Sequence, residues 1–389
     1  MGCGGRSVSD WLLLPLIVLA IGVGWYLGRR ERKSSRYYEL GLRHLLNDEP
    51  DQAVATLVTE LNVDNDNVDT HLALGGLLRR RGELEKAVFV HENILKWARL
   101  DQATRHNVQM ELARDYLQAG LLDRAESMSM TLAAENPQYR SESLKITLQV
   151  YEKERDWHRA IEIAKQVTGG AEEAQIERAI SHYLCELAEL SLIQNDPEAA
   201  KDFLVDAIGH FAQNPRVSLL QGRIALEAGD PGSAIRFLER IIEQEPVYVA
   251  ESMALLETAH QAMGSEQAYR RYLEHCLTLF PSISVVLALG RVIRGQEGTD
   301  ALARFIANQM AQNPTLRGFI ELIDINLGDA EGAMRQNLNL LKDFAETMIA
   351  DKPNYRCSSC GFEGKRMRWH CPSCRGWASI RPIFGLEGE

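Results

Sequence analysis

Alanines recur along this chain at a nearly fixed interval, and that interval limits the possible folds more than any other feature. They stand at Ala53, Ala87, Ala125, Ala160, Ala200, Ala234, Ala268, Ala301 and Ala333, with separations of 34, 38, 35, 40, 34, 34, 33 and 32. Before each lies a short turn rich in Gly, Asp, Asn or Glu, such as Gly82-Glu83-Leu84-Glu85-Lys86, Gly120-Leu121-Leu122-Asp123-Arg124 or Gly229-Asp230-Pro231-Gly232-Ser233. After each comes an amphipathic helical pattern. In the sixth unit Ala234, Ile235, Leu238, Ile241 and Ile242 form one apolar stripe at helical spacing. A unit this small cannot bury its apolar face alone, so neighbouring units must stack and share a core.

A period near 34 with two helices per unit is the tetratricopeptide signature. Other positions agree. Gly41, Gly75 and Gly222 lie twelve residues before their alanines, and Ala113 takes the same place before Ala125. These small residues suit the point where the two helices of a pair cross. Tyr116 and Tyr151 supply the aromatic expected further along the helix, and Pro137 and Pro246 mark helix exits. Unit four and units seven to nine keep the period without the glycine. The expectation is an all-α fold, a right-handed superhelix of about nine helical pairs over residues 37–350, whose concave face recognises polypeptides.

The chain closes on Cys357-Ser-Ser-Cys360-Gly361 and Cys371-Pro372-Ser373-Cys374. Two CxxC turns at this distance present four thiolates to one metal ion, in a small rubredoxin-like or zinc-ribbon knuckle. Disulfides would conflict with a reducing compartment, and a thioredoxin-like pair would need a βαβ setting that the sequence lacks. Tetrahedral sulfur suits iron and zinc alike, and full ligation by protein makes the site structural. His370, beside Cys371, reads as a packing residue. Lys352, Arg356, Lys365, Arg366, Arg368, Arg375 and Arg381 interleave with Tyr355, Phe362, Trp369, Trp377 and Phe384. A nucleic-acid-binding ribbon is one reading of that mixture. The preferred one is a tail whose aromatics dock on the repeats while its cations face an acidic body, whose net charge of −11 disfavours nucleic acid as a partner.

Residues 11–27 carry no charge, and at 1.5 Å per residue they span roughly 26 Å, near the lower limit for crossing a bilayer core. Trp11, Trp25 and Tyr26 fit the interfacial belts. Arg29, Arg30, Arg32, Lys33 and Arg36 follow, against Arg6 alone on the other side, so the positive-inside rule places the bulk of the chain in the cytoplasm and sets those cations near anionic lipid. The expected organisation is a short periplasmic segment (1–10), a transmembrane anchor (11–28), a basic linker (29–36), the repeat array (37–350) and the metal-binding tail (351–389). Cys3, Cys185 and Cys276 are scattered singly. No phosphate-binding loop, nucleophile elbow or zinc-protease motif occurs, and the expectation is a protein that is not an enzyme.

The order of parts carries a more specific likeness. The anchor ending Gly24-Trp25-Tyr26-Leu27-Gly28-Arg29-Arg30, the repeat array and the CxxCG…CPxC tail together resemble the lipopolysaccharide assembly protein B family of Gram-negative bacteria. The resemblance implies a single-pass inner-membrane adaptor that works with the membrane protease FtsH to promote degradation of LpxC, and so restrains lipopolysaccharide synthesis. It also assigns the family's metal ligands to Cys357, Cys360, Cys371 and Cys374. A platform gathering lipopolysaccharide-synthesis enzymes and a redox-sensing ribbon are the alternatives. Arg375 stands where a rubredoxin knuckle usually has glycine, which leaves iron and zinc open.

Overall fold

The computed structural model describes residues 68–96, 100–167 and 173–389, with isolated helical positions at 18–19, 21–23, 25, 43–44 and 52. Those positions apart, the segment 1–10, the anchor 11–28, the linker 29–36 and the first repeat with Gly41 and Ala53 lie outside the described residues. Among the described residues no helix is long and apolar enough to cross a membrane.

Seventeen α-helices and three short strands occur among the described residues, in two compact units, 1–154 and 155–389. The first unit contains α1 (Val68–Arg80), α2 (Leu84–Leu95), α3 (Gln102–Ala119), α4 (Leu122–Glu135) and α5 (Pro137–Glu154). The second begins with α6 (Trp157–Ala164), α7 (Glu173–Ile193), α8 (Pro197–His210), α9 (Pro215–Glu227), α10 (Pro231–Leu238) and α11 (Ile241–Gln244). A 3₁₀ turn (Pro246–Tyr248) leads to α12 (Val249–Ala262), α13 (Glu266–Leu279), α14 (Ile283–Glu297), α15 (Thr299–Gln312), α16 (Leu316–Leu327) and α17 (Gly332–Ala350). Strands β1 (Tyr355–Cys357), β2 (Glu363–Gly364) and β3 (Ile380–Pro382) then form an antiparallel sheet in the order β2-β1-β3. Within each unit neighbouring helices pack in pairs, and alternate helices also touch: α1 on α3 and α3 on α5, then α7 on α9, α9 on α12, α12 on α14 and α14 on α16. That double contact is what stacked helical pairs require.

The turns explain why the period survives wide sequence variation. Gly82, Gly120, Gly229 and Gly264 adopt left-handed φ of +80°, +76°, +76° and +62°, and Arg155 and Asn195 do the same work at +57° and +59°. The residue after most of them sends its amide back five positions, as Asp230 does to Ala225 O at 2.8 Å, which closes the preceding helix. The same residue then starts the next helix. Asp156, Asp196 and Asp230 accept from the amides of Arg159, Ala199 and Ser233 at 3.0–3.1 Å. Four positions on, Ala87, Ala160, Ala200 and Ala234 donate the first helical bond to the carbonyl of that turn residue. Ala87, Ala125, Ala160, Ala200 and Ala234 are all fully buried.

The later units depart from the alanine register. Counting four from the turn residue, the bond falls on Tyr269 (to Ser265), Leu302 (to Gly298) and Arg335 (to Glu331). Tyr269 and Leu302 are buried, while Ala268 and Ala301 are half-buried and Ala333 is exposed. The alanines of units seven to nine therefore mark the wrong position by one or two residues. With the register corrected, the eighth unit regains its glycine. Gly290 lies twelve residues before Leu302, and a Cβ there would sit 2.9 Å from the Leu302 side chain. A bulky residue on one helix and a glycine on the other meet the same packing need as a pair of small ones. At Gly222 a Cβ would lie 2.5 Å from Leu238, and at Gly75 it would collide with the His91 ring.

Candidate metal centre

The pairing of β1 with β2 shapes the first cysteine turn. The Cys357 amide donates to Phe362 O at 2.7 Å, and the Gly361 amide donates to Cys357 O at 3.0 Å with Gly361 at φ +76°. The second turn repeats the design. The Cys371 amide donates to Gly376 O and the Arg375 amide to Cys371 O, both at 3.0 Å. Arg375 takes φ +61°, so a non-glycine residue occupies the left-handed position that Gly361 holds in the first turn.

The two turns bring all four sequence-predicted sulfurs within 4.8 Å of one another. Cys357 Sγ lies 3.6 Å from Cys374 Sγ, and Cys360 Sγ lies 3.7 Å from Cys371 Sγ. All four are free thiols. A metal about 2.3 Å from each of four sulfurs, at the centre of a tetrahedron, gives sulfur–sulfur edges of about 3.8 Å, so these distances suit one tetrathiolate-bound ion. The protonation balance agrees. Burial pushes the Cys357 thiol up, but the Ser379 hydroxyl and the amides of Cys360 and Ser359 outweigh it and bring the thiol down to about 6. At Cys374 the Gly376 amide favours the thiolate, yet burial and the three neighbouring sulfurs together drive the thiol to about 12. Four sulfurs this close oppose one another's ionisation, and a bound cation removes that conflict. Cys185 and Cys276 differ: burial alone dominates, raising them to about 12 and about 11. They behave as small apolar side chains.

The knuckle is held against helices of its own unit by rings. Trp377 stacks on His370 (centroids 4.3 Å, 11°) and on His182 of α7 (5.2 Å, 14°), and meets Trp157 and Tyr183 edge-on. Trp369 lies against His182 at 6.0 Å and Tyr248 at 4.9 Å. The Tyr248 hydroxyl donates to Ala378 O at 3.0 Å and is 3.1 Å from Ile380 O. Tyr355 donates to Glu251 at 2.7 Å. Burial holds His182 neutral, with a pKa near 3 to which Arg216, His370 and Arg178 also contribute. Burial likewise raises Glu251 and Glu245 above the usual carboxylate range.

The aromatic half of the docking expectation therefore holds, and the cationic half needs correction. Arg381 reaches Glu245 on the helices at 2.8 Å. Arg356 instead pairs with Glu363, and Lys352 with Glu387, inside the tail. Lys365 meets Asp351. Rings desolvate at little cost, whereas a guanidinium must keep its hydration or find a partner. The sequence reading missed the other side of the dock: Trp157, His182, Tyr183 and Tyr248. Its signal was a cluster of rings where repeat helices usually place aliphatic residues.

A model described as a rubredoxin metal binding domain matches residues 355–382, and a tetratricopeptide repeat model matches residues 191–256. Lipopolysaccharide assembly protein B of Escherichia coli (strain K12) is 34% identical over 388 residues, covering 97% of this chain and 99% of that protein. This chain belongs to the lipopolysaccharide assembly protein B family. The protein of the same name from Haemophilus influenzae (strain ATCC 51907 / DSM 11121 / KW20 / Rd) is 29% identical over 399 residues, covering 97% of this chain and 99% of its own length. In this member of the lipopolysaccharide assembly protein B family the rubredoxin-like match ends at Pro382, where β3 ends.

Proposed function

We propose that the chain is a non-catalytic adaptor of lipopolysaccharide assembly, anchored in the bacterial inner membrane by residues 11–28, with residues 37–350 in the cytoplasm. Its task in this reading is to deliver LpxC to the membrane protease FtsH and so restrain lipopolysaccharide synthesis. Cys357, Cys360, Cys371 and Cys374 are the four ligands of one structural metal ion, iron or zinc, in the tail 351–389. The observation that carries the reading is membership of the lipopolysaccharide assembly protein B family along nearly the whole chain. Stacked helical pairs support it by offering extended surface for polypeptides, and both matching family models are binding modules. A membrane tether adds to this: holding a soluble enzyme beside a membrane protease raises their effective concentration to about millimolar without new contacts.

Depletion of the protein is expected to lengthen the LpxC half-life and raise its abundance. An unchanged half-life refutes the specific role. Recovery of many lipopolysaccharide-synthesis enzymes with little protease, after crosslinking in membranes, would replace delivery with a scaffold.

A further inference from the structure

Beyond β3, residues 383–389 leave the knuckle and lie across the last helical pairs. The Glu389 carboxylate accepts from the Ser284 amide (3.1 Å), the Ser284 hydroxyl (2.7 Å) and Arg317 Nη1 (2.6 Å). Its side chain is only 14% exposed. The Leu316 amide donates to Leu386 O at 2.8 Å, Lys352 pairs with Glu387 at 3.1 Å, and Phe384 meets Phe280 edge-on at 5.2 Å. Phe384 and Leu386 nevertheless remain 43% and 54% exposed. The segment is thus fastened to the helices by one carboxylate and one main-chain bond, and to the rest of the tail by Glu387 and by the Ile383 amide on Asn354 O (2.9 Å), with little apolar burial. Peptide ligands are held in that manner, by charge-assisted bonds that a competing carboxylate can take over.

The groups that receive Glu389 belong to the helices. Ser284 sits in the first turn of α14, where its amide has no intrahelical acceptor, and Arg317 sits in the first turn of α16. Arg317 Nη1 also lies 3.4 Å from the Ser284 hydroxyl, so the donors converge on one point. Beside them lies a water-sized cleft of about 30 Å³ with apolar walls (Ile283, Val286, Met310) and polar ones (Gln309, Asn313), and Glu389 itself forms part of its lining.

We propose that Ser284 and Arg317 form a recognition site for the carboxylate of an acidic peptide segment, which the chain's own residues 383–389 occupy as a built-in competitor. A partner segment gains the site by displacing Glu389, and the tail sets the affinity threshold. The site is separate from the metal centre, and its test uses the purified full-length chain alone, so it does not stand or fall with the adaptor reading.

A fluorescent peptide of sequence Ile-Phe-Gly-Leu-Glu-Gly-Glu is titrated into the unaltered chain, Glu389→Gln, and Glu389→Gln with Arg317→Ala. Helical signal and metal content are checked for each. Glu389→Gln is expected to bind the peptide at least tenfold more tightly than the unaltered chain does. Adding Arg317→Ala, or replacing both peptide glutamates with glutamine, is expected to abolish that gain. Equal binding by the first two proteins overturns the proposal. So does a gain that survives Arg317→Ala, or no binding to a folded, metal-loaded Glu389→Gln chain.

Discussion

At the scale of single residues the tail and its dock combine a strained backbone position with a suppressed charge. Arg375 holds φ +61° to close the second cysteine turn. A side chain in that region costs about 1–2 kcal/mol, and glycine returns part of the gain through its freer unfolded state. Arg375→Gly is expected to stabilise the metal-loaded knuckle by about 0.5–1 kcal/mol, read as a higher denaturant midpoint. His182 gives a pH dependence whose sign follows from its burial. The unfolded chain takes up a proton near pH 6.5 and the folded chain only near pH 3, so the contribution is complete above pH 6.5 and is lost as the pH falls toward 3. At about 1.4 kcal/mol per pH unit the loss reaches about 2 kcal/mol by pH 5. Glu245 and Glu251, raised by burial, act in the opposite sense as the pH falls through their higher values. The docked tail should therefore melt earlier at pH 5 than at pH 7. His182→Phe, which keeps a ring against Trp377, should flatten that difference in tryptophan-monitored melts. The metal ligands were legible because CxxC spacing is itself a local geometry. His182 was not, because an imidazole in a repeat helix looks the same whether it faces solvent or a tryptophan almost two hundred residues away.

At the scale of elements, the helical pairs were legible through turns more than through any one side chain. A left-handed residue, a capping acid and a first helical amide four positions later recur even where Gly gives way to Arg155 or Asn195. Alanine identity misled in the last units because the crossing of two helices selects for summed volume. Gly290 with Leu302 satisfies it as Ala113 with Ala125 does. Leu302→Ala is accordingly expected to cost about 2–5 kcal/mol, whereas Ala301→Ser, one residue earlier and half-buried, should cost far less. Equal costs in urea melts would return the register to the alanine. Gly222→Ala, facing the fully buried Leu238, is expected to lose about 1–3 kcal/mol by overpacking.

At the scale of the molecule, the sequence announced an array and a knuckle whose aromatics dock on it, and the structure places the knuckle on its own unit's helices. Nothing local encodes the receiving side of that dock: Tyr248 and Ala378 are 130 positions apart, and only folding brings them together. Chelation, or Cys371→Ser, should remove the metal, leave most of the helical circular dichroism, and shift tryptophan emission to the red as Trp369 and Trp377 reach water. Collapse of the helical signal would show instead that the array depends on the ion.

The ring cradle of Trp157, His182, Tyr183 and Tyr248 is translated long before the segment that covers it. Ribosomes release chains from the amino end and domains fold as they emerge, so a nascent polypeptide displays this sticky surface until residues 351–389 arrive. Premature stops and failed metallation leave the same greasy patch in view. Cellular quality control thus has a simple mark by which to tell a finished, loaded copy from a defective one.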